Sequence, residues 1–130
     1  MTGLDTNVLA RFFAQDDRDQ CKRVDKFMQT LTTENPGFVS LVVLAELVWV
    51  LRGRYNATKP QLIQCLNQLL DSPEVTLEGQ AAVTQALHRF SNSKVDFVDC
   101  LIERCGHAAG CGETVTFEVN AAAAAGMIPL

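Results

Sequence analysis

The chain has 130 residues, of which 48% are hydrophobic, and this predicts a single globular domain over residues 1–130 with its own core. A formal net charge of −4 excludes the class of strongly basic proteins that coat nucleic acid through bulk electrostatics. The five cysteines form no CxxC pair and lack zinc-site spacing with histidine, so they are predicted to be buried, reduced thiols.

The sequence predicts neither export nor membrane insertion. The amino terminus lacks a basic region followed by an apolar one, which argues against a signal peptide. The most apolar run, residues 38–51, contains Glu46 and is too short to span a bilayer. We therefore expect a cytoplasmic protein.

The amino-terminal residues predict a very short strand followed by a helix. The strand ends at Asp5, and the apolar positions beyond it predict a helix over residues 7–14, capped by Thr6 or Asn7. In open α/β sheets, ligands bind outside the carboxyl ends of the strands. Asp5 is therefore expected where such a protein places its chemistry. Taken alone, an Asp before a helix is more often a cap than a ligand.

A second helix is predicted from the acidic pair at residues 16–17 to about Thr33. Its apolar residues recur every three or four positions and predict one buried stripe. The stripe consists of Cys21, Val24, Phe27, Met28 and Leu31. The charged residues of the opposite face are interpreted as a solvated surface.

The next segment predicts a strand at residues 38–40 and a helix over residues 41–55, capped by Ser40. This helix is apolar nearly all round, so it is predicted to be largely buried. Glu46 interrupts it, and a carboxylate in such surroundings is costly unless it pairs with a cation or binds a metal.

The second half of the chain continues the alternation. A helix capped by Thr58 is predicted over residues 60–71, then a short strand or extended link at 74–77 and a helix at 79–90. The alanine-rich residues 119–125 predict a short helix or coil, and residues 127–130 predict an edge strand. Strands that alternate with helices indicate an α/β sandwich on a parallel sheet.

Two acidic positions of this half belong to one helix, and a third follows a strand. Asp96 is a natural cap for a helix that runs to Ala109, and Asp99 lies three residues later, where a capping-box acid belongs. The β-branched run at residues 114–117 predicts a core parallel strand that ends in Glu118.

Four carboxylates therefore occupy related positions, either at strand ends or early in helices: Asp5, Glu46, Asp99 and Glu118. If the strands are parallel, all four can converge at one edge of the sheet. Carboxylates crowded in a cleft need protons or cations as compensation. An oxygen-only set without histidine or thiolate favours Mg²⁺ or Mn²⁺ over zinc. Helix capping is the rival interpretation of Asp96 and Asp99.

Four motifs resemble those of PIN-domain ribonucleases, and specifically of VapC-type toxins from toxin–antitoxin pairs. They are Leu4-Asp5-Thr6-Asn7, then Ser40 with Glu46, then Asp96-Phe97-Val98-Asp99, and finally Thr114-Val-Thr-Phe117-Glu118 with Gly126-Met127 behind it. The motifs follow the family's order and spacing over nearly the whole chain.

The resemblance implies a PIN-like α/β fold and a metal-dependent endoribonuclease with Asp5, Glu46 and Asp99 as its acidic core. It also implies a nearby Asp96 and a fourth acid on the last strand, where this chain has Glu118 instead of the usual Asp. The longer side chain could reach a metal or displace it, because Mg²⁺ tolerates little distortion.

The expected mechanism follows from these acids. One or two Mg²⁺ would activate a water and stabilise the charge on the scissile phosphate. Asp5 and Asp99 would be direct ligands, and Glu46 would bind a second ion or orient the water. Thr6, Asn7 and Thr116 could hydrogen-bond the ligands or a phosphate oxygen. The candidates for RNA contact are Arg11, Arg52, Arg54, Arg89 and Lys94.

Three functions compete. The first is a ribonuclease toxin that is neutralised by a small antitoxin, whose Arg or Lys could replace the cation; the family tends to dimerise, which an exposed Trp49 would fit. The second is a catalytically degenerate PIN fold that only binds protein or RNA. The third, a phosphoryl-transfer enzyme with Asp5 as nucleophile, is weak because Asn7 stands where such enzymes need a second acid.

Overall fold

The computed structural model describes all residues from 1 to 130, and they form two compact units. Unit 1 is Met1–Glu78 and unit 2 is Gly79–Leu130. No helix in either unit is both long enough and apolar enough to span a membrane.

Unit 1 is an α/β unit built on a three-stranded parallel sheet. Its elements are β1 (Thr2–Gly3), α1 (Thr6–Ala14), α2 (Arg18–Met28), β2 (Gly37–Val39), α3 (Leu41–Gly53), α4 (Lys59–Asp71) and β3 (Val75–Leu77). The strand order is β1-β2-β3, with β2 in the centre. Phe38 of β2 pairs with Gly3 of β1 on one side and with Thr76 of β3 on the other. The predicted α/β class with a short parallel sheet and flanking helices is confirmed.

The core of unit 1 consists mainly of leucine side chains from the helices. Leu9 of α1, Leu44 of α3 and Leu62 of α4 are each no more than 1% exposed. Burying a leucine contributes roughly 1.5–3 kcal/mol, so a set of this kind drives the packing of the helices. Helix α1 packs against both α2 and α3.

Local caps fix where the helices of unit 1 begin. Asp17, Ser40 and Thr58 each accept a backbone N–H at the start of α2, α3 and α4, respectively. Thr58 and Gln61 form a full capping box. The caps at Ser40 and Thr58 were predicted from the sequence, whereas Asp17 was expected to favour the start of α2 through its charge. The structure adds Glu78, whose Oε1 accepts the Leu41 N–H at 2.8 Å.

The structure corrects the predicted start of α1 and the predicted end of α2. Helix α1 is capped by position at Asp5, whereas Thr6 and Asn7 lie inside the helix. Helix α2 ends at Met28 rather than near residue 33, because the Thr30 hydroxyl and N–H both donate to the Phe27 carbonyl and close a turn.

Unit 2 consists of a helical pair and a small parallel sheet. Its elements are α5 (Gln80–Ser91), α6 (Phe97–Ala108), β4 (Val115–Thr116), α7 (Val119–Ala124) and β5 (Ile128–Pro129). Phe90 of α5 meets Phe97 of α6 edge to face, with ring centroids 5.9 Å apart. Gly110, at φ 97°, follows the end of α6 as predicted.

The strand before Glu118 is not the core strand that the sequence predicted. β4 pairs with β5 in a two-stranded sheet, and Val115 and Phe117 are 52% and 83% exposed. A run of β-branched residues predicts a strand, but it does not predict which strand will be its partner. The partner strand determines whether the side chains of the run are buried.

Candidate metal-binding acids

Asp5 lies at the amino-terminal end of α1 in extended backbone conformation. Its carbonyl accepts the N–H groups of Val8 and Leu9, at 3.1 and 3.3 Å, while its carboxylate makes no capping hydrogen bond. The side chain is exposed. The backbone therefore starts the helix and leaves the carboxylate available for a ligand.

Glu46 lies on an exposed face of α3, contrary to the prediction that this helix is buried nearly all round. Val42 and Trp49, one turn before it and one turn after it, are 79% and 75% exposed. Glu46 is itself exposed. Its carboxylate is solvated and needs no partner for stability. An apolar environment therefore does not require Glu46 to bind a cation or a metal.

The carboxylates of unit 2 influence one another. Asp99, in the first turn of α6, has a raised pKa, chiefly because of burial and then because of the negative charges of Asp96 and Glu118. Like charges that raise a carboxyl pKa are an arrangement that a cation would relieve.

Glu118 is held at the start of α7 by its backbone. Its N–H donates to Oγ1 of Thr116 at 3.0 Å, and its side chain is exposed and makes no capping hydrogen bond. The Thr116 hydroxyl therefore positions the backbone of Glu118. Thr6, another expected hydrogen-bonding residue, is 3% exposed, whereas Asn7 is exposed.

Helix capping, the rival interpretation of Asp96 and Asp99, is met by Asp96 in position only, and Asp99 lies within the first turn of α6. Asp5, Asp96 and Glu118 all occupy N-cap positions, yet none of their side chains forms the capping hydrogen bond. A capping Asp normally stabilises a helix by about 1 kcal/mol through that bond. These three carboxylates do not contribute that stabilisation.

The chemistry of the acids fits a hard divalent cation, because every donor is a carboxylate oxygen. The structure has no group of three or more His, Cys, Asp or Glu side chains arranged to hold a metal ion. The acids therefore fit a cation by their donor chemistry. Asp99 fits it best, because burial and then the charges of Asp96 and Glu118 raise the pKa of its carboxyl.

Two of the arginines predicted to contact RNA are engaged within the protein. Arg11 forms an ion pair with Asp16 at 2.9 Å and donates to the Tyr55 hydroxyl at 3.0 Å. Arg89 donates to the Ala125 carbonyl and lies 3.4 Å from Glu103. Arg54 and Lys94 are exposed, and Arg52 is half-buried.

Arg23 and Phe27 of α2 line an open cleft together with Arg54. The sequence had predicted a solvated surface position for Arg23 and a buried position for Phe27. Phe27 is 37% exposed. Their spacing of four residues, which puts a cation beside an aromatic ring, was the available signal.

Comparison with known proteins agrees with the motifs. The PIN domain family matches residues 4–126. A VapC ribonuclease of Aquifex aeolicus (strain VF5) is 24% identical over 115 residues, which cover 88% of this chain and 84% of that protein. The match to the family spans all five acids predicted from the sequence. The chain belongs to the PIN domain family.

Proposed function

We propose that this protein is a Mg²⁺-dependent endoribonuclease, with Mn²⁺ as a substitute ion, and the toxin of a toxin–antitoxin pair. Support comes from the PIN domain match over residues 4–126 and from the similarity to a protein named VapC ribonuclease. The observation that carries the proposal is that the family match covers all five acids. The half-buried carboxyl of Asp99 supports it, because its pKa is raised by burial first and then by the charges of Asp96 and Glu118. Carboxylates crowded in this way are poised for a divalent cation.

Each acid has a proposed role. Asp5 and Asp99 are direct ligands, Asp96 and Glu118 add oxygen ligands, and Glu46 binds a second ion or orients the attacking water. The bound ion supplies Lewis-acid stabilisation of the charge that develops on the phosphate. The solvated carboxylate of Glu46 can accept a proton from the water.

The amino terminus of α1 contributes to substrate binding in this proposal. Its first backbone N–H groups and its helix dipole favour a phosphate oxygen, and the exposed amide of Asn7 can donate a hydrogen bond to it. Asp5 precedes this helix directly, so a phosphate bound here would lie beside the proposed ligand.

The proposed partners are RNA, a small antitoxin protein and a second copy of the chain. Acids without bound metal attract an Arg or Lys, so an antitoxin that inserts such a side chain would displace the ion and inhibit the enzyme. Trp49, 75% exposed on the same helix as Glu46, is a candidate for a homodimer contact.

RNA cleavage by the purified protein tests this function. We expect cleavage of mixed single-stranded RNA with Mg²⁺, none with a chelator, and a loss of at least about a hundredfold for Asp5→Asn and Asp99→Asn. Asp71→Asn, an exposed acid at the end of α4, is the matched control and should cleave like the wild type. Equal rates for all variants, or cleavage that persists in the chelator, would refute the proposal.

The second candidate function is a PIN fold that binds RNA or protein without catalysis. Its support is that no three acids are arranged to hold a metal, together with Glu118 in place of the family's usual Asp. Titration calorimetry with Mn²⁺ separates the two candidates. A nuclease should bind Mn²⁺ and lose the binding on Asp99→Asn, whereas a pure binding module should give no metal-dependent heat in either protein.

A further inference from the structure

Unit 1 contains an open cleft of about 590 Å³ that residues of α1, α2 and the end of α3 line. The volume is in the range of sites that bind small organic ligands or single nucleotides. Three arginines line this one cleft: Arg11, Arg23 and Arg54. In a chain whose net charge is −4, this is a local concentration of positive charge.

The three arginines are not equivalent. Arg11 is occupied by Asp16 and Tyr55, so it is largely neutralised by the protein itself. Arg23 and Arg54 are exposed and form no ion pair with a carboxylate. The guanidinium carbon Cζ of Arg54 lies 5.7 Å from the ring centroid of Tyr55, a cation–π contact that leaves the N–H groups of Arg54 without a carboxylate partner. Two guanidinium groups therefore remain for an anionic ligand.

The apolar part of the cleft includes an accessible aromatic ring. Phe27 is 37% exposed, and Val8 and Val24 line the cleft beside it. A solvent-accessible ring among arginines is the combination that proteins use to bind single-stranded RNA, because the bases stack on the ring and the arginines contact the phosphates. A site for a free phosphate alone would not need the ring.

The cleft adjoins the start of α1. Asn7 lines it and lies two residues after Asp5, in the first turn of that helix. A strand of RNA bound in the cleft would therefore extend toward the carboxylate that we propose as a metal ligand.

We infer that this cleft binds a nucleotide of single-stranded RNA adjacent to the cleaved bond, with Arg23 and Arg54 on its phosphates and Phe27 stacked on its base. The inference rests on the proposed ribonuclease function and adds to it where the substrate strand is held. The two arginines without a carboxylate partner match the phosphates of an RNA strand, and the accessible ring of Phe27 matches a base.

Equilibrium binding without turnover tests the inference. A fluorescently labelled, unstructured RNA of about 15 nucleotides is titrated with Asp5→Asn protein in a chelator, so that affinity is read in the absence of cleavage. Arg23→Gln and Arg54→Gln, each made in that background, should weaken binding about three- to tenfold and flatten the dependence on salt concentration by about 0.7 in logarithmic slope. Phe27→Leu keeps the apolar volume and should weaken binding about fivefold with little change in that slope.

Arg18→Gln provides the matched control. Arg18 is an exposed arginine of the same helix that does not line the cleft, so its loss should change affinity less than twofold. If Arg23→Gln and Arg54→Gln bind RNA as well as Arg18→Gln does, the inference is wrong, and the cleft serves another ligand such as a segment of a partner protein. RNA binding that depends on the cleft, in a wild-type protein that never cleaves RNA, would instead refute only the nuclease function.

Discussion

Arg89 of α5 donates a hydrogen bond to the carbonyl oxygen of Ala125, the C-cap residue of α7. The same guanidinium lies 3.4 Å from the carboxylate of Glu103 on α6. One side chain therefore joins three helices of unit 2, including the two that carry Asp99 and Glu118. The sequence suggested an RNA contact for Arg89, but the structure gives it an internal role.

Replacing Arg89 with methionine should lower the free energy of unfolding by about 2 kcal/mol. The variant leaves the Ala125 carbonyl without its donor and removes one cation from Glu103. Urea unfolding followed by circular dichroism measures the change. Arg18→Met, at an exposed arginine, should lie within about 0.5 kcal/mol of the wild type. Similar stabilities for the two variants would show that the hydrogen bond contributes little.

Gly126→Ala should destabilise the protein by about 2 kcal/mol for two separate reasons. Gly126 has a φ of 78°, which strains any residue with a side chain, and an added Cβ would lie 2.8 Å from Nη1 of Arg89. Combining it with Arg89→Met should cost less than the sum of the two changes, because the steric clash disappears. Gly53→Ala, where a Cβ meets no atom within 4 Å, is the control and should be neutral or slightly stabilising. If the destabilisation of the double variant equals the sum of the two single changes, the added Cβ does not clash with Arg89.

Asp5→Asn and Ser40→Ala should affect stability differently although both residues are N-caps. Ser40 accepts the Val43 N–H at 3.2 Å, and its loss should cost about 1 kcal/mol. Asp5 makes no such bond, so Asp5→Asn should unfold within about 0.5 kcal/mol of the wild type. Thermal unfolding of both variants checks this. A strongly destabilised Asp5→Asn would mean that its loss of activity reports folding rather than metal binding.

Asp99→Asn should stabilise the metal-free protein by roughly 0.5 kcal/mol, since it removes a half-buried charge that Asp96 and Glu118 repel. The same change should abolish the rise in unfolding temperature that we expect Mn²⁺ to produce in the wild type. Thermal melts with a chelator and with Mn²⁺ measure both effects. An Asp99→Asn protein that is less stable than the wild type in the chelator would contradict the charge argument.

Protonation of Glu103 should make the protein less stable in acid. The hydrogen bond from Arg104, at 2.5 Å, holds the pKa of the Glu103 carboxyl below its usual value of 4.5. Its stabilising contribution is complete above that usual value and is lost as the pH falls through the lowered folded pKa. Glu103→Gln should therefore be less stable than the wild type at pH 7, by on the order of 1 kcal/mol, and the two should converge in acid. A difference that stays constant down to about pH 2 would disprove this account.

The sequence predicted the parts of this protein that depend on neighbouring residues. The caps at Ser40 and Thr58 were predicted, because a capping side chain bonds a backbone N–H only two or three positions away. The alternation of strands and helices followed from hydrophobic periodicity in the same way. The short motifs around the acids predicted a PIN domain, and the chain's membership of that family is confirmed.

Tertiary structure alone decided which faces are exposed and which charges remain unpaired. The composition of α3 predicted burial of Glu46, but the other helices cover only part of that helix and leave Val42 and Trp49 in solvent. Arg89 and Arg23 are equally basic in sequence, yet one bonds Ala125 and the other lines an open cleft. Burial and ion pairing depend on residues distant in the chain, so a local pattern cannot specify them.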